Sequence, residues 1–114
     1  MTGPEIFKKN ILEFNQQLSP ASIRTEGLEK LAGFNPDGIV LVGIGGSATP
    51  ATILQNIAEY ATIKIPILSW KNFGLPSVEF KRPLYIYVSF SGNTHEPISG
   101  FKQRPKGAAC AVVA

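Results

Sequence analysis

The sequence predicts an α/β fold, a three-layer α/β/α sandwich around a parallel sheet. Two observations predict it. Apolar runs without polar alternation, such as residues 39–42 and 84–88, are typical of strands that are buried on both faces. Segments with a helical spacing of apolar residues separate these runs, and strands that alternate with helices form parallel sheets with right-handed crossovers.

The composition fits one globular domain and excludes several classes of protein. The chain has 114 residues, of which 44% are hydrophobic and 17% charged, so it can bury a core. The net charge of +3 predicts a solubilising surface, and no basic run is long enough to indicate a nucleic-acid partner. The single cysteine, Cys110, excludes an internal disulfide and cannot build a metal site alone.

The N-terminus and the apolar runs predict a cytoplasmic protein without membrane contact. The first 18 residues are amphipathic and contain acids, which is not the pattern of a signal peptide. No apolar run approaches the roughly 20 residues that span a bilayer.

The first 36 residues predict a helical lead that packs on the domain after it. Residues 4–17 carry apolar side chains at helical spacing, and Pro4 suits a first helical turn. A second helix is predicted to begin at Ser19 and to end at Gly33. Residues 35–38 are typical of a turn, and we predict the domain to span residues 37–114.

The domain is predicted to alternate strands with helices. We expect four strands, at residues 39–42, 63–68, 84–88 and 108–113, and two helices, at residues 48–60 and 95–103. The residues of the first helix that we expect to face the sheet are Ile53, Leu54, Ile57 and Ala58. The chain stops inside an apolar run, and a parallel strand needs a helix after it to cover the sheet. We therefore expect a partial domain that is truncated after the fourth strand.

A glycine turn follows the first predicted strand. Residues 43–48 read Gly-Ile-Gly-Gly-Ser-Ala, and such a turn lets backbone N–H groups approach an anion. The helix behind it adds the positive end of its dipole. Ser47 is expected at the N-cap of that helix, where its hydroxyl can also donate to an oxyanion. A plain tight turn with a serine cap is the structural alternative.

The same turn also matches a dinucleotide-binding pattern. Gly43, Gly45 and Ala48 have the Gly-x-Gly-x-x-Gly/Ala spacing of that pattern. A dinucleotide site needs an acidic residue about 20 positions later, and residues 64–71 contain none, which weakens the hypothesis. A dinucleotide site that binds NADP through Lys71 remains an alternative.

A second polar turn follows the third predicted strand. Its three hydroxyls, on Ser89, Ser91 and Thr94, surround Gly92 and Asn93. A phosphate accepts several hydrogen bonds, and hydroxyls donate them without adding charge. Thr94 or Asn93 is expected to cap the next helix. Because ligands of open α/β sheets bind beyond the carboxyl ends of the strands, we predict that both turns form one phosphate pocket.

These two turns carry a resemblance to a known family. Val-Gly-Ile-Gly-Gly-Ser-Ala at 42–48 and Ser-Phe-Ser-Gly-Asn-Thr-His-Glu at 89–96 resemble the sugar isomerase (SIS) domain. More narrowly, the chain resembles the N-terminal half of the bifunctional phosphoglucose/phosphomannose isomerases, whose Leu-Pro loop is similar to residues 73–76. The resemblance covers nearly all of residues 4–114 and implies the flavodoxin-like strand order.

The resemblance implies a sugar-phosphate site that needs neither a cofactor nor a metal. The residues that correspond to the family's phosphate contacts are Gly45, Gly46, Ser47, Ser89, Ser91 and Thr94. Phe90, His95 and Pro97 depart from the family's usual tyrosine, acid and threonine. None of these departures removes a phosphate donor.

The resemblance also implies an activity for the complete protein, the interconversion of glucose 6-phosphate or mannose 6-phosphate with fructose 6-phosphate. The family's catalytic glutamate, histidine and lysine lie beyond residue 114, partly across a dimer. We therefore expect a homodimer when the protein is complete, and we assign no catalytic residue in this chain. A non-catalytic sugar-phosphate sensor is the alternative from another class, and an NAD(P)-binding module is the third.

Overall fold

The structure is a computed structural model that describes residues 2–13, 25–61 and 63–114. The chain divides into two compact units, Met1–Lys30 and Leu31–Ala114. In the first unit, helix α1 spans Gly3–Leu12 and begins with a capping box between Thr2 and Glu5. The remainder of the predicted first helix and the start of the second lie outside the described residues. Leu28–Leu31 forms a short 3₁₀ helix, and the packing of the lead on the domain stays a prediction.

The second unit contains a four-stranded, all-parallel sheet with helices. Its strands are β1 (Gly38–Val42), β2 (Ile67–Trp70), β3 (Pro83–Val88) and β4 (Ala109–Val113), in the order β2-β1-β3-β4. Helix α2 (Thr49–Tyr60) follows β1, and helix α3 (His95–Gln103) follows β3. The predicted α/β fold and its strand order are confirmed. Within the described ranges, no helix has both the length and the apolar character needed to span a bilayer.

The second strand begins later than the predicted residues 63–68. Ile63 does not pair with β1, because its N–H donates to the Ala58 carbonyl at 2.9 Å and closes the end of α2. Pairing with β1 starts at Pro66, whose carbonyl accepts the Ile39 N–H at 2.9 Å. The apolar run at residues 63–68 therefore begins at the end of α2 and finishes inside β2.

The side chains of the two central strands alternate between the two faces of the sheet, and each face carries a buried cluster. Val40 and Val42 are fully buried with Tyr85 and Tyr87 on one face. Leu41 lies on the other face in the cluster that α2 covers. Full burial of a valine side chain stabilises the fold by about 1.5–3 kcal/mol relative to exposure. Strand β1 contributes two such valines, Val40 and Val42, and therefore forms the centre of the core.

Helix α2 rests on the sheet through a narrower stripe than predicted. Ala51 and Ala58 are buried and Leu54 packs on the core, a set spaced by three and four residues. Ile53 and Ile57 are 53% and 52% exposed, so the prediction that they face the sheet is wrong. The small alanines occupy the contact stripe, which rotates the two isoleucines to the flank of the helix.

Helix α3 is attached to β3 and to the loop before it. The Tyr87 hydroxyl donates to the Gly100 carbonyl at 3.2 Å, and the Ser99 hydroxyl accepts the Gly74 N–H at 2.8 Å. Gly100 permits this approach, because a Cβ there would lie 2.8 Å from the Gly74 carbonyl oxygen. These contacts hold the middle of α3 against β3 and the loop before it.

Candidate functional site

Both polar turns leave the sheet at the same edge. Val42 is paired with Tyr87 in the parallel register, so the carboxyl ends of β1 and β3 lie side by side. From β1 the chain crosses to β2 on one side, and from β3 it crosses to β4 on the other. The two turns therefore flank the switch in strand order, which is where open α/β sheets bind ligands.

The first turn needs glycine at two positions for structural reasons. A Cβ on Gly43 would lie 2.4 Å from the Ser47 carbonyl oxygen, because the turn folds back over the strand end. Gly45 has φ +60°, the left-handed region that favours glycine. Gly46 meets neither constraint, since a Cβ there would have nothing within 4 Å among the described residues. Its lack of a side chain leaves the backbone open to a ligand.

Ser47 does not cap α2, which corrects the prediction. It lies inside a 3₁₀ helix, Gly45–Ala48, where its N–H donates to the Ile44 carbonyl at 3.1 Å. This 3₁₀ helix runs directly into α2, so the N-cap position moves one residue along, to Ala48. None of the described side chains caps α2, and the Ser47 hydroxyl is left without a capping role.

A cavity of about 430 Å³ opens beside the first turn. Gly46 and Ser47 form one part of its wall, and Val88 and Phe90 at the end of β3 form another. The other lining residues are Ile44, Pro50, Val113 and Ala114. All of the lining side chains are uncharged, and the volume lies in the range of about 300–1,000 Å³ that is usual for small-molecule sites.

The three hydroxyls of the second turn form one hydrogen-bonded network. The Ser89 hydroxyl accepts the Gly92 N–H at 3.0 Å and donates to Thr94 Oγ1 at 3.3 Å. The Ser91 hydroxyl lies 3.5 Å from the same Thr94 oxygen and accepts the Asn93 N–H at 3.2 Å. The structure therefore brings together all three of the donors that the sequence predicts in this turn.

The N-terminus of α3 lies directly behind this network. Thr94, one of the two residues predicted as the cap, occupies the N-cap position, but its side chain makes no capping bond and instead joins the network of hydroxyls. An α-helix leaves its first four N–H positions without partners inside the helix, and here these N–H groups belong to Thr94, His95 and Glu96, since Pro97 has none. Backbone donors, hydroxyls and the positive end of the helix dipole thus lie close together, an arrangement that suits an anion.

The hydroxyl donors of the two turns that line cavities line different ones, although Phe90 of the second turn lines the first cavity. Gly46 and Ser47 belong to the first, whereas Ser89 and Gly92 line a second cavity of about 340 Å³ between β4 and α3. Ala114 lines both, so the cavities adjoin at the end of β4. Gly45 is exposed at the tip of the first turn. That the two turns hold one phosphate between them stays a prediction.

Sequence reasoning missed part of the wall of the first cavity. Phe90 was noted only as a departure from a family pattern, although a large apolar residue between two hydroxyl donors on a polar turn is a usable signal. Val113 enters the wall through its pairing with Val88. That pairing depends on the register between β3 and β4, which apolar patterns do not specify.

The arrangement supplies hydrogen bonds and a helix dipole. The side chains that line the first cavity include no acid or base. Among the described residues, no group of three or more His, Cys, Asp or Glu side chains is placed to hold a metal ion. Chemically, each turn offers hydrogen-bond donors of the kind that an anionic group accepts.

The comparisons with known proteins agree with the resemblance that the two turns carry. No family model matches the chain, and no solved structure matches it. A bifunctional phosphoglucose/phosphomannose isomerase of Caldicellulosiruptor bescii is 34% identical over 73 residues, which are 63% of this chain and 21% of the relative. A protein of the same name from Aquifex aeolicus is 32% identical over 66 residues, 58% of this chain and 21% of that relative. The chain is thus similar to these isomerases over a match that spans about a fifth of their length.

Proposed function

We propose that this chain is the sugar-phosphate-binding part of an aldose–ketose isomerase that interconverts glucose 6-phosphate or mannose 6-phosphate with fructose 6-phosphate. The observation that carries the proposal is the network of Ser89, Ser91 and Thr94 in front of the N-terminus of α3. These hydroxyls now bond to one another, and they can exchange those bonds for bonds to phosphate oxygens. The similarity to two isomerases supports the class of reaction.

In the proposed complex, the phosphate lies in front of α3. It accepts hydrogen bonds from the hydroxyls of the second turn and from the N–H groups of His95 and Glu96. The positive end of the helix dipole stabilises its negative charge. The backbone of Gly46 and the hydroxyl of Ser47 contact the ligand from the first turn. Binding at the phosphate fixes the unreactive end of the sugar.

Isomerisation itself requires groups that we do not assign to this chain. A base must move a proton between C1 and C2, and an acid must help to open the sugar ring. In the proposed parent protein, a homodimer, polypeptide beyond this chain supplies both. The chain alone is therefore expected to bind sugar phosphates weakly and not to convert them.

An NMR titration of the ¹⁵N-labelled chain tests the binding proposal. Inorganic phosphate and glucose 6-phosphate should both shift the amide signals of residues 89–96, and glucose should not. Ser91→Ala should weaken the binding of both phosphates, whereas Ser77→Ala, at an exposed serine of the loop before β3, is the matched control. NADP binding without glucose 6-phosphate binding would contradict the proposal and favour a dinucleotide site.

The isomerase proposal needs the longer parent protein. Purified parent protein should convert glucose 6-phosphate or mannose 6-phosphate to fructose 6-phosphate in a coupled assay. Failure to convert either aldose phosphate, with binding intact, would instead favour a non-catalytic sensor.

A further inference from the structure

We infer that Phe90 is a specificity-determining residue whose ring packs against the carbon skeleton of a phosphorylated sugar. Its contact would make the site prefer a sugar phosphate over inorganic phosphate. The inference rests on the proposed function and adds to it the residue that recognises the part of the ligand beyond the phosphate.

The exposure of Phe90 is the first observation. Its side chain is 94% exposed, whereas Tyr87, three residues earlier, is 3% exposed. A phenylalanine side chain buries on the order of 150–250 Å² when it is covered, so a ring left in water at a site edge offers a large gain to a ligand that covers it. The ring contributes little to the core that the described residues form.

The turn on either side of Phe90 is held by side-chain hydrogen bonds. The Ser89 hydroxyl accepts the Gly92 N–H at 3.0 Å, and the Ser91 hydroxyl accepts the Asn93 N–H at 3.2 Å. These bonds restrict the backbone that carries the ring. Phe90 is thus an exposed aromatic on a constrained support, which lowers the entropy cost of using it for binding.

The position of Phe90 connects the phosphate donors to the first cavity. Its Cα lies one peptide unit, about 3.8 Å, from the Cα atoms of both Ser89 and Ser91. Phe90 lines the 430 Å³ cavity together with Ser47 and Val88. A ligand that is anchored by phosphate at the hydroxyls and that extends into this cavity reaches the part of the wall to which Phe90 belongs.

The chemistry of the cavity wall fits a sugar better than a second charged group. Its lining side chains are uncharged, and apart from Ser47 they are apolar or glycine. One face of a hexose presents C–H groups, and the face of an aromatic ring carries the negative part of its quadrupole, which favours such groups. The Ser47 hydroxyl, in the same wall, can bond to a sugar hydroxyl.

The test compares two ligands that differ only beyond the phosphate. Dissociation constants for inorganic phosphate and glucose 6-phosphate are measured by NMR titration for the wild-type chain, Phe90→Ala, Phe90→Leu and Phe90→Tyr. Phe73→Ala is the matched control, because Phe73 is 64% exposed and lines neither cavity. AMP serves as a third ligand, since a nucleotide base would also stack on a ring.

Phe90→Ala and Phe90→Leu are expected to weaken glucose 6-phosphate binding about three- to tenfold and to leave inorganic phosphate binding unchanged. Phe90→Tyr should retain the wild-type preference, as should Phe73→Ala. Equal losses for both ligands, or no loss for either, would overturn the role of Phe90 and leave the proposed function intact. A larger effect of Phe90→Ala on AMP than on glucose 6-phosphate would also overturn it. If the wild-type chain binds no phosphate, the proposed function fails, and the inference fails with it.

Discussion

Ser89 donates a hydrogen bond to Thr94 Oγ1 at 3.3 Å and so links the end of β3 to the N-cap of α3. The two residues are five positions apart, and the bond uses the oxygen that would otherwise cap the helix. The Thr94 hydroxyl thus belongs to a network of hydroxyls and does not cap the helix. Because a lost cap costs a helix about 0.5–2 kcal/mol, the network occupies a position where stability alone would favour a capping bond.

Thr94 is therefore predicted to matter more for binding than for stability. Thr94→Val keeps the shape of the side chain and removes the hydroxyl, so it should weaken glucose 6-phosphate binding about tenfold or more, the effect of one hydrogen bond to a charged group. Thr94→Ser keeps the hydroxyl and should bind like the wild type. Isothermal titration calorimetry or NMR titration measures both, and equal binding by the two variants would contradict the role of the hydroxyl.

Gly43 and Gly46 are predicted to respond differently to the same substitution. Gly43→Ala places a Cβ 2.4 Å from the Ser47 carbonyl oxygen and should lower the free energy of unfolding by about 1–3 kcal/mol. Gly46→Ala meets no described atom within 4 Å, so it should leave stability nearly unchanged and weaken sugar-phosphate binding. Urea denaturation and ligand titration distinguish the two. A destabilisation of Gly46→Ala as large as that of Gly43→Ala would contradict the structure of the turn.

Asp37 is predicted to stabilise the end of the sheet opposite the site. Its carboxylate accepts the N–H groups of Lys81 and Arg82, both at 2.7 Å, and so joins the segments that lead into β1 and β3. Desolvation opposes ionisation, but these backbone hydrogen bonds and the charge of Arg82 outweigh it and lower the pKa of Asp37 below its ordinary value of 3.8. Asp37→Asn should therefore lower Tm at neutral pH.

The effect of Asp37 should depend on pH in one direction. Since the pKa of Asp37 is lower in the folded chain, its stabilising effect is complete above the ordinary pKa of 3.8. The effect is lost as the pH falls through the lowered pKa of the folded chain. The difference in Tm between the wild type and Asp37→Asn should shrink below about pH 4. Glu59→Gln, at an exposed carboxylate of α2, is the control. A difference that persists unchanged at low pH would exclude the ionised carboxylate as its source.

Tyr87 is predicted to limit stability at high pH. Burial, with smaller contributions from Cys110 and Tyr85, raises its pKa to about 12. Its stabilising effect is complete below the ordinary pKa of 10.0 and is lost as the pH rises toward 12, because the buried phenol must ionise. Tyr87→Phe should therefore lose less stability than the wild type as the pH rises from 10.0 to about 12.

The same substitution also removes a hydrogen bond. At neutral pH, loss of the bond from the Tyr87 hydroxyl to the Gly100 carbonyl should cost about 0.5–1.5 kcal/mol. Urea denaturation across the pH series measures both effects. Tyr60→Phe, which removes a hydroxyl from a 94% exposed side chain, should show neither.

Several details depended on contacts that no local pattern reveals. The start of β2 was predicted too early, because Ile63 bonds to the end of α2 instead of to β1. Ser47 was predicted as an N-cap, but the 3₁₀ helix that leads into α2 moves the cap to Ala48. Ile53 and Ile57 were predicted to face the sheet, and the alanine stripe of α2 turned them outward.

The sequence by itself determined the parallel sheet and the location of the two polar turns. Uninterrupted apolar runs and the helices between them specify a parallel sheet, and connectivity places each turn at the carboxyl end of its strand. The tertiary structure alone decided that the Thr94 hydroxyl would join Ser89 and not cap α3, and that Phe90 would share a cavity wall with Ser47 and Val113. Those relationships join separate elements, so they depend on strand register and helix placement, which arise only when the whole sheet has packed.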